Sequence, residues 1–143
     1  MAIAANEGFN IQNMDVKSAF LHGTPLERDV YMEPPVECNK PGIVWKLRKT
    51  VYGLYDASRS WYFAVKKELK SFGMKSVSGD DAFFTLNKEG ELLRMTVLHV
   101  DNFLVAGNQQ FMKIISSAFK KRFTFGKTEL DKFKFKGLNI EHT

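Results

Sequence analysis

The stretch from Leu92 to Gly107 constrains the fold more than any other part of the chain. An apolar arm, Leu92 to Val100, meets the polar pair Asp101 and Asn102, and a second apolar arm runs on through Leu104, Val105 and Ala106 to Gly107. Two arms flanking an Asp-Asn pair predict strands joined by a tight turn, because short polar side chains bond their own backbone and tolerate turn conformations. A further pairing precedes this one. Ala82 to Leu86 and Leu92 to Val100 flank Asn87, Lys88, Glu89 and Gly90, a turn-rich linker of the kind that closes a hairpin.

Other segments complete the pattern. Phe9, Ile11, Met14 and Val16 mark a short buried strand that ends near Asp15. Residues 22–41 carry Gly23, Pro25, Pro34, Pro35 and Pro41 and read as loop, with a brief strand at Val30, Tyr31 and Met32. Asp56 and Ser58 can cap a helix whose apolar positions are Trp61, Val65, Leu69 and Phe72, stopping at Gly73. Asn108 caps a second helix over Gln109 to Arg122. Phe133 and Phe135 then alternate with Lys132, Lys134 and Lys136, rings on one sheet face and ammonium groups on the other, and Gly137, Leu138, Asn139 and Ile140 continue or end that strand. The order strand, helix, paired strands, helix, strand predicts an α+β fold. Its form is a split βαβ, ferredoxin-like sandwich with two helices on one face of an antiparallel sheet.

With 143 residues, 44% of them hydrophobic and 13 of them Phe, the chain can bury one compact core, so a single domain over residues 1–143 is expected. The formal charge of +5 permits a polyanionic partner without demanding one. Cys38 is the single cysteine, which excludes an internal disulfide framework and a multi-cysteine zinc site, and suggests a reducing interior. No apolar run approaches the roughly 18 residues of a membrane span, and the first residues lack the basic start of a signal peptide. An intracellular protein without a membrane partner is the expectation.

Chemistry enters with the acidic residues. If the strand ending near Asp15 and the one breaking at Asp101 are sheet neighbours, two carboxylates meet at the sheet edge. Close carboxylates repel unless a divalent cation joins them, and magnesium takes one or two carboxylates together with substrate phosphates. Most acidic residues near strand ends are merely solvated turn residues, so the pair by itself is a weak sign.

The spelling around those residues is more specific. Met14-Asp15-Val16-Lys17-Ser18-Ala19-Phe20-Leu21-His22-Gly23 resembles the first catalytic motif of copia-type retrotransposon reverse transcriptases, and Val30-Tyr31-Met32-Glu33 is similar to the string that follows it. Residues 44–54, from Val44 to Leu54, resemble the segment before the nucleotide-binding helix, and Ala57, Arg59, Trp61 and Tyr62 continue the similarity. Ser78 and Asp81 match before the hairpin, His99-Val100-Asp101-Asn102 falls where the family has Tyr-x-Asp-Asp, and Phe119 to Ile140 resembles the stretch after it.

The resemblance implies a polymerase palm, with the fingers largely absent and the thumb, connection and RNase H absent. It implies that Asp15 and Asp101 hold two magnesium (or manganese) ions, with Asn102 beside them as third member of the catalytic set. The backbone of Lys17, Ser18 and Ala19 would lie under the phosphates of a deoxynucleoside triphosphate. Phe20 would crowd a ribose 2′-hydroxyl, although core packing is the competing role for such a ring. Asp56 and Arg59 would face the nucleotide. Lys120, Lys121, Arg122, Lys132, Lys134 and Lys136 are candidates for phosphates of an RNA/DNA primer-template, or else solvated faces of a helix and a strand. The setting implied is the cytoplasm, in a retrotransposon particle, or the nucleus.

Departures from the family pattern cluster near the site. Asn102 puts a neutral amide where the family has a carboxylate. His99 replaces Tyr, Asp56 replaces Gln, and Tyr55 and Ser58 replace Lys and Pro. A new carboxylate at Asp56 would repel a triphosphate unless it serves as a helix cap. Low polymerase activity follows, and three readings stay open, the first two being an impaired RNA-directed DNA polymerase and a domesticated or relict palm that binds nucleic acid or protein without catalysis. An unrelated ferredoxin-like binding domain is the third.

Overall fold

The computed structural model describes residues 1–38 and 40–141. In chain order the elements are α1 (Ala2–Asn6), β1 (Asn10–Val16), β2 (Tyr31–Met32), β3 (Trp45–Lys46), α2 (Ala57–Ser71), β4 (Lys75–Val77), β5 (Asp80–Lys88) and β6 (Glu91–His99). They continue with β7 (Asn102–Gly107), α3 (Gln109–Arg122), β8 (Phe125–Leu130), β9 (Lys132–Phe135) and β10 (Leu138–Glu141). Short 3-10 turns cover Ala19–His22 and Val36–Cys38. The chain divides into two compact units, one of Met1–Ala19 with Glu68–Thr143, the other of Phe20–Lys67.

The first unit is α+β, built on a six-stranded sheet in the order β4-β5-β6-β7-β1-β8. Every pairing in it is antiparallel. β1 and β7 are neighbours, in register from Asn10 opposite Gly107 to Asp15 opposite Asn102. Because side chains alternate along a strand, Met14 and Val16 share one face with Phe103 and Val105, all four fully or nearly fully buried. That face lies under α3. Phe103 meets Phe119 at 5.0 Å, and the Ser116 hydroxyl donates to Gln12 Oε1 at 2.8 Å. Phe72, just past the last turn of α2, meets Phe119 edge-on at 5.9 Å, and Thr96 Oγ1 donates to Met74 Sδ at 3.7 Å. Each fully buried ring of this cluster is worth roughly 2–3 kcal/mol of transfer free energy.

The helix ends follow their local sequence. Asn108 Oδ1 accepts from the Phe111 N–H at 2.8 Å, the predicted N-cap of α3. Past α2, Gly73 takes φ +77, with its N–H donating to the Lys70 carbonyl and the Met74 N–H to the Leu69 carbonyl, a glycine-terminated helix end.

The opposite sheet face differs from expectation. Ile11, Met95 and Ala106 are covered there by Ala4 of α1 together with Phe133 and Ile140. The lysine-alternating strand was expected to continue or to end at Gly137 to Ile140. It turns at Lys136 and Gly137, both with positive φ (52 and 82), into a two-stranded β9-β10 hairpin. Two successive residues of positive φ are the signature of the tight hairpin turn that matches strand twist. One edge of the main sheet is instead β8, whose Gly126, Lys127 and Glu129 gave no apolar alternation to reveal it.

The second unit holds the β2-β3 pair, Tyr31 opposite Lys46 and Met32 opposite Trp45, and most of α2. Phe20 packs on Tyr52 at 4.3 Å between ring centres, and its carbonyl accepts from the buried Thr50 hydroxyl at 2.9 Å. Gly23 is required by close approach, since a Cβ there would lie 2.5 Å from Ser60 Oγ and 3.2 Å from the Phe20 carbonyl oxygen.

Candidate active site

The β6-β7 connection is a two-residue turn. His99 pairs with Asn102, leaving Val100 and Asp101 between them. Val100 sits at φ +51, a left-handed conformation that a β-branched residue adopts only under strain. The turn is tied to the neighbouring strand, since the Asp101 carbonyl accepts the Val16 N–H at 2.8 Å. This bond and the pairing of Asp15 with Asn102 bring the Asp15 and Asp101 residues together at one end of the sheet. Asn102 Nδ2 donates to Asp101 Oδ1 at 3.0 Å, so the Asn102 amide occupies an oxygen of its neighbour.

The electrostatics record the same convergence. Burial, and after it the negative charge of Asp101, push the Asp15 carboxyl above its ordinary value, while Lys17 pulls it back. Two half-exposed carboxylates that repel, with one ammonium close by, can hold a divalent cation whose other positions are filled by water and phosphate. Among the described residues no group of three or more His, Cys, Asp and Glu side chains converges, so the donor set is this pair alone. The residues present fit a divalent ion held with fewer charges than a three-carboxylate site would supply.

Comparison with known proteins decides the family. The description "Reverse transcriptase (RNA-dependent DNA polymerase)" matches the chain over residues 1–143. The chain belongs to the copia-type retrotransposon reverse transcriptase family. Among its relatives is the retrovirus-related Pol polyprotein from transposon RE1 of Arabidopsis thaliana, 36% identical over 111 residues, 76% of this chain and 7% of the relative. The RE2 polyprotein of the same plant is 34% identical over 128 residues, 87% of the chain and 9% of the relative. That from transposon TNT 1-94 of Nicotiana tabacum is 34% identical over 114 residues, covering 77% and 8%. The chain thus spans less than a tenth of the length of these curated relatives. No solved structure matches it.

In this reverse transcriptase chain the remaining residues singled out from the sequence fall into separate places. The Lys17 N–H donates to the Thr124 carbonyl at 2.8 Å and is therefore spent on the sheet. Ser18, at φ +51, swings the chain out of β1, and Ala19 is fully buried. Phe20, Asp56 and Arg59 belong to the second unit. Phe20 is only 7% exposed, so the ring is mainly a packing residue there. Asp56 is not a bare negative charge: Arg28 Nη2 and Nε donate to its two oxygens at 3.1 and 3.3 Å, and this guanidinium holds the Asp56 carboxyl below the usual range. Arg28, which also lies over the Tyr55 ring at 5.0 Å, drew no attention in the sequence because its partner is 28 residues away. Arg59 lies over the Phe63 ring at 5.5 Å.

The six basic candidates do not form one surface. Lys120, Lys121 and Arg122 are in the last turn of α3, on the helix-covered side of the sheet, and Arg122 reaches Glu68 at 3.8 Å. Lys132 and Lys134 are on the hairpin whose Phe133 packs against the other side, and Lys136 is in its turn. Lys132 is paired with Glu141 at 3.1 Å. The two groups lie apart because residues 132–141 fold back on themselves instead of extending the sheet.

Proposed function

We propose that this chain is the palm of an RNA-directed DNA polymerase, a split βαβ whose two-metal nucleotidyl transfer is strongly weakened by Asn102. The observation that supports it best is the turn at Val100 and Asp101, pinned through Val16 to the strand that carries Asp15. Asp15 and Asp101 would hold the divalent ions, magnesium or manganese. Ions bound there would lower the cost of ionising a primer 3′-hydroxyl and neutralise triphosphate charge.

The chain's own residues set how well this works. Asp15 and Asp101 bring the negative charge, and the strained turn, with the Asn102 amide on Asp101 Oδ1, holds Asp101 at the sheet edge. Lys17 offsets Asp15 when no cation is bound. Asn102 contributes a hydrogen-bond donor where another acceptor is needed, and each tenfold loss of rate takes only about 1.4 kcal/mol of transition-state stabilisation. In the second unit Arg28 is engaged by Asp56 and Arg59 lies over the Phe63 ring. Primer-template RNA/DNA would be met through phosphates, by the α3 and hairpin lysines separately.

The amide held on Asp101 Oδ1 also favours a second reading, a relict palm that binds nucleic acid or protein and no longer catalyses. Primer extension on an RNA template with magnesium or manganese separates the two. The unaltered chain should extend feebly, Asn102→Asp should extend at least tenfold faster, and Asp15→Ala should abolish both. Extension that survives Asp15→Ala would overturn the assignment. Absence of extension in every variant, with salt-sensitive duplex binding retained, would favour the relict module.

A further inference from the structure

β8 carries a bulge directly against Asp15. Thr128 stands opposite Met14 and Phe125 opposite Val16, so Gly126 and Lys127 together face the single residue Asp15. Bulges bend the strand that bears them and re-aim side chains, and they concentrate beside functional groups. Gly126 is not among the glycines with positive φ, so its backbone would accept any residue. Space is what excludes one. A Cβ at position 126 would lie 2.6 Å from Asp15 Oδ2, and 3.4 and 3.6 Å from Cγ and Cε of Lys17. The Asp15 carboxylate and the Lys17 stem therefore rest together on a bare Cα.

We propose that Gly126 is a positioning residue for the candidate cation site: its missing side chain seats the Asp15 carboxylate toward Asp101 with the Lys17 ammonium alongside. This rests on the reading that Asp15 and Asp101 hold a divalent cation. A Cβ contact of 2.6 Å relaxes to ordinary packing only if the carboxylate oxygen moves by about 1 Å. The carboxylate makes that movement by turning about its soft terminal torsion, and the turn re-aims both oxygens. A displacement of about 1 Å at a reacting centre commonly costs on the order of 100-fold, and hard cations such as magnesium demand near-ideal ligand geometry.

The test is manganese binding to the full chain, followed by electron paramagnetic resonance of the free ion, for the unaltered protein, Asp15→Ala, Gly126→Ala and Lys127→Ala. Gly126→Ala should weaken binding at least tenfold, while Lys127→Ala, which changes the bulge but not the hollow, should stay within twofold. Native affinity in Gly126→Ala, beside lost binding in Asp15→Ala, overturns the role of Gly126 and leaves the metal site standing. Binding untouched by Asp15→Ala, or no saturable binding to the unaltered chain, overturns the site and the inference with it. Unfolding of Asp15→Ala/Gly126→Ala beside the single variants adds a readout that a general strand defect would not give. The alanine at 126 should be tolerated once Asp15 is gone, and equal destabilisation in both backgrounds would show that the hollow serves the strand and not the carboxylate.

Discussion

The substitution Asn102→Asp should make the metal-free protein less stable, and the size of the loss follows from the site. The substitution removes the Asn102 Nδ2 bond to Asp101 Oδ1, 3.0 Å long, and a hydrogen bond to a charged acceptor is worth about 1.5–3 kcal/mol. It also sets a new negative charge beside Asp101 and near Asp15, whose carboxyl already feels Asp101. Two unit charges about 4 Å apart repel by about 1 kcal/mol in water and about 4 kcal/mol at an effective dielectric of 20. Asp15, Asp101 and Asn102 are all partly exposed, so the lower value governs. The sum is a loss of roughly 3 kcal/mol. Urea unfolding in EDTA reads it directly. Magnesium at about 100 times its dissociation constant then returns about 2.7 kcal/mol to whichever variant binds it, so Asn102→Asp should show the larger metal-dependent gain. If Asn102→Asp were as stable as the unaltered protein in EDTA, these side chains would not share one electrostatic environment, and the polymerase-site geometry would be refuted.

Asp15 gives the pH dependence. Its folded-state carboxyl is raised, so between the ordinary value of 3.8 and the raised one the folded chain binds more protons than the unfolded chain, and stability falls as pH rises through that window. Asp15→Asn should accordingly be more stable than the unaltered protein above the window, with the gain vanishing below pH 3.8; parallel stability curves for the two proteins would contradict this. Phe119, fully buried among Phe72, Phe103, Phe123 and Phe125, should cost about 3–5 kcal/mol on truncation to Ala, measured by denaturant midpoint. Val100→Gly relieves a left-handed strain of about 1–2 kcal/mol against a glycine entropy cost of about 0.5–1 kcal/mol. Thermal melts should show a small net stabilisation, and a clear loss would mean that Val100 is held by packing.

The legible parts of this chain were those where local chemistry and apolar period agree. Asn108 announced α3, and the Asp101-Asn102 pair between apolar arms announced the β6-β7 turn to within one residue, the turn falling on Val100 and Asp101 with Asn102 opening β7, because both are statements about a few consecutive residues. β8 was invisible for the opposite reason: it is an edge strand of Phe125, Gly126, Lys127, Thr128, Glu129 and Leu130, and its place is decided by β1 rather than by its own pattern. The return of residues 132–141 hinged on left-handed geometry at Lys136, which no lysine advertises. In the candidate site Asp15 and Asp101 were legible through the motif around them. The pairing of Asp56 with Arg28, and the hollow at Gly126, depend on contacts between distant residues and had no sequence signal.

Scaffold and charge are separable at this site, so the shape of the sheet does not depend on whether position 102 carries a charge. The register between β1 and β7 is carried by backbone pairing and by Met14, Phe103 and Val105 on the buried face, none of which senses whether residue 102 ends in an amide or a carboxylate. An Asn in place of an Asp at that position therefore escapes any penalty on folding. In the absence of metal it even earns stability, by trading a repulsion for a hydrogen bond to Asp101. Selection for a stable fold alone would move the site in this direction, and only a demand for bound cation would hold the second carboxylate in place.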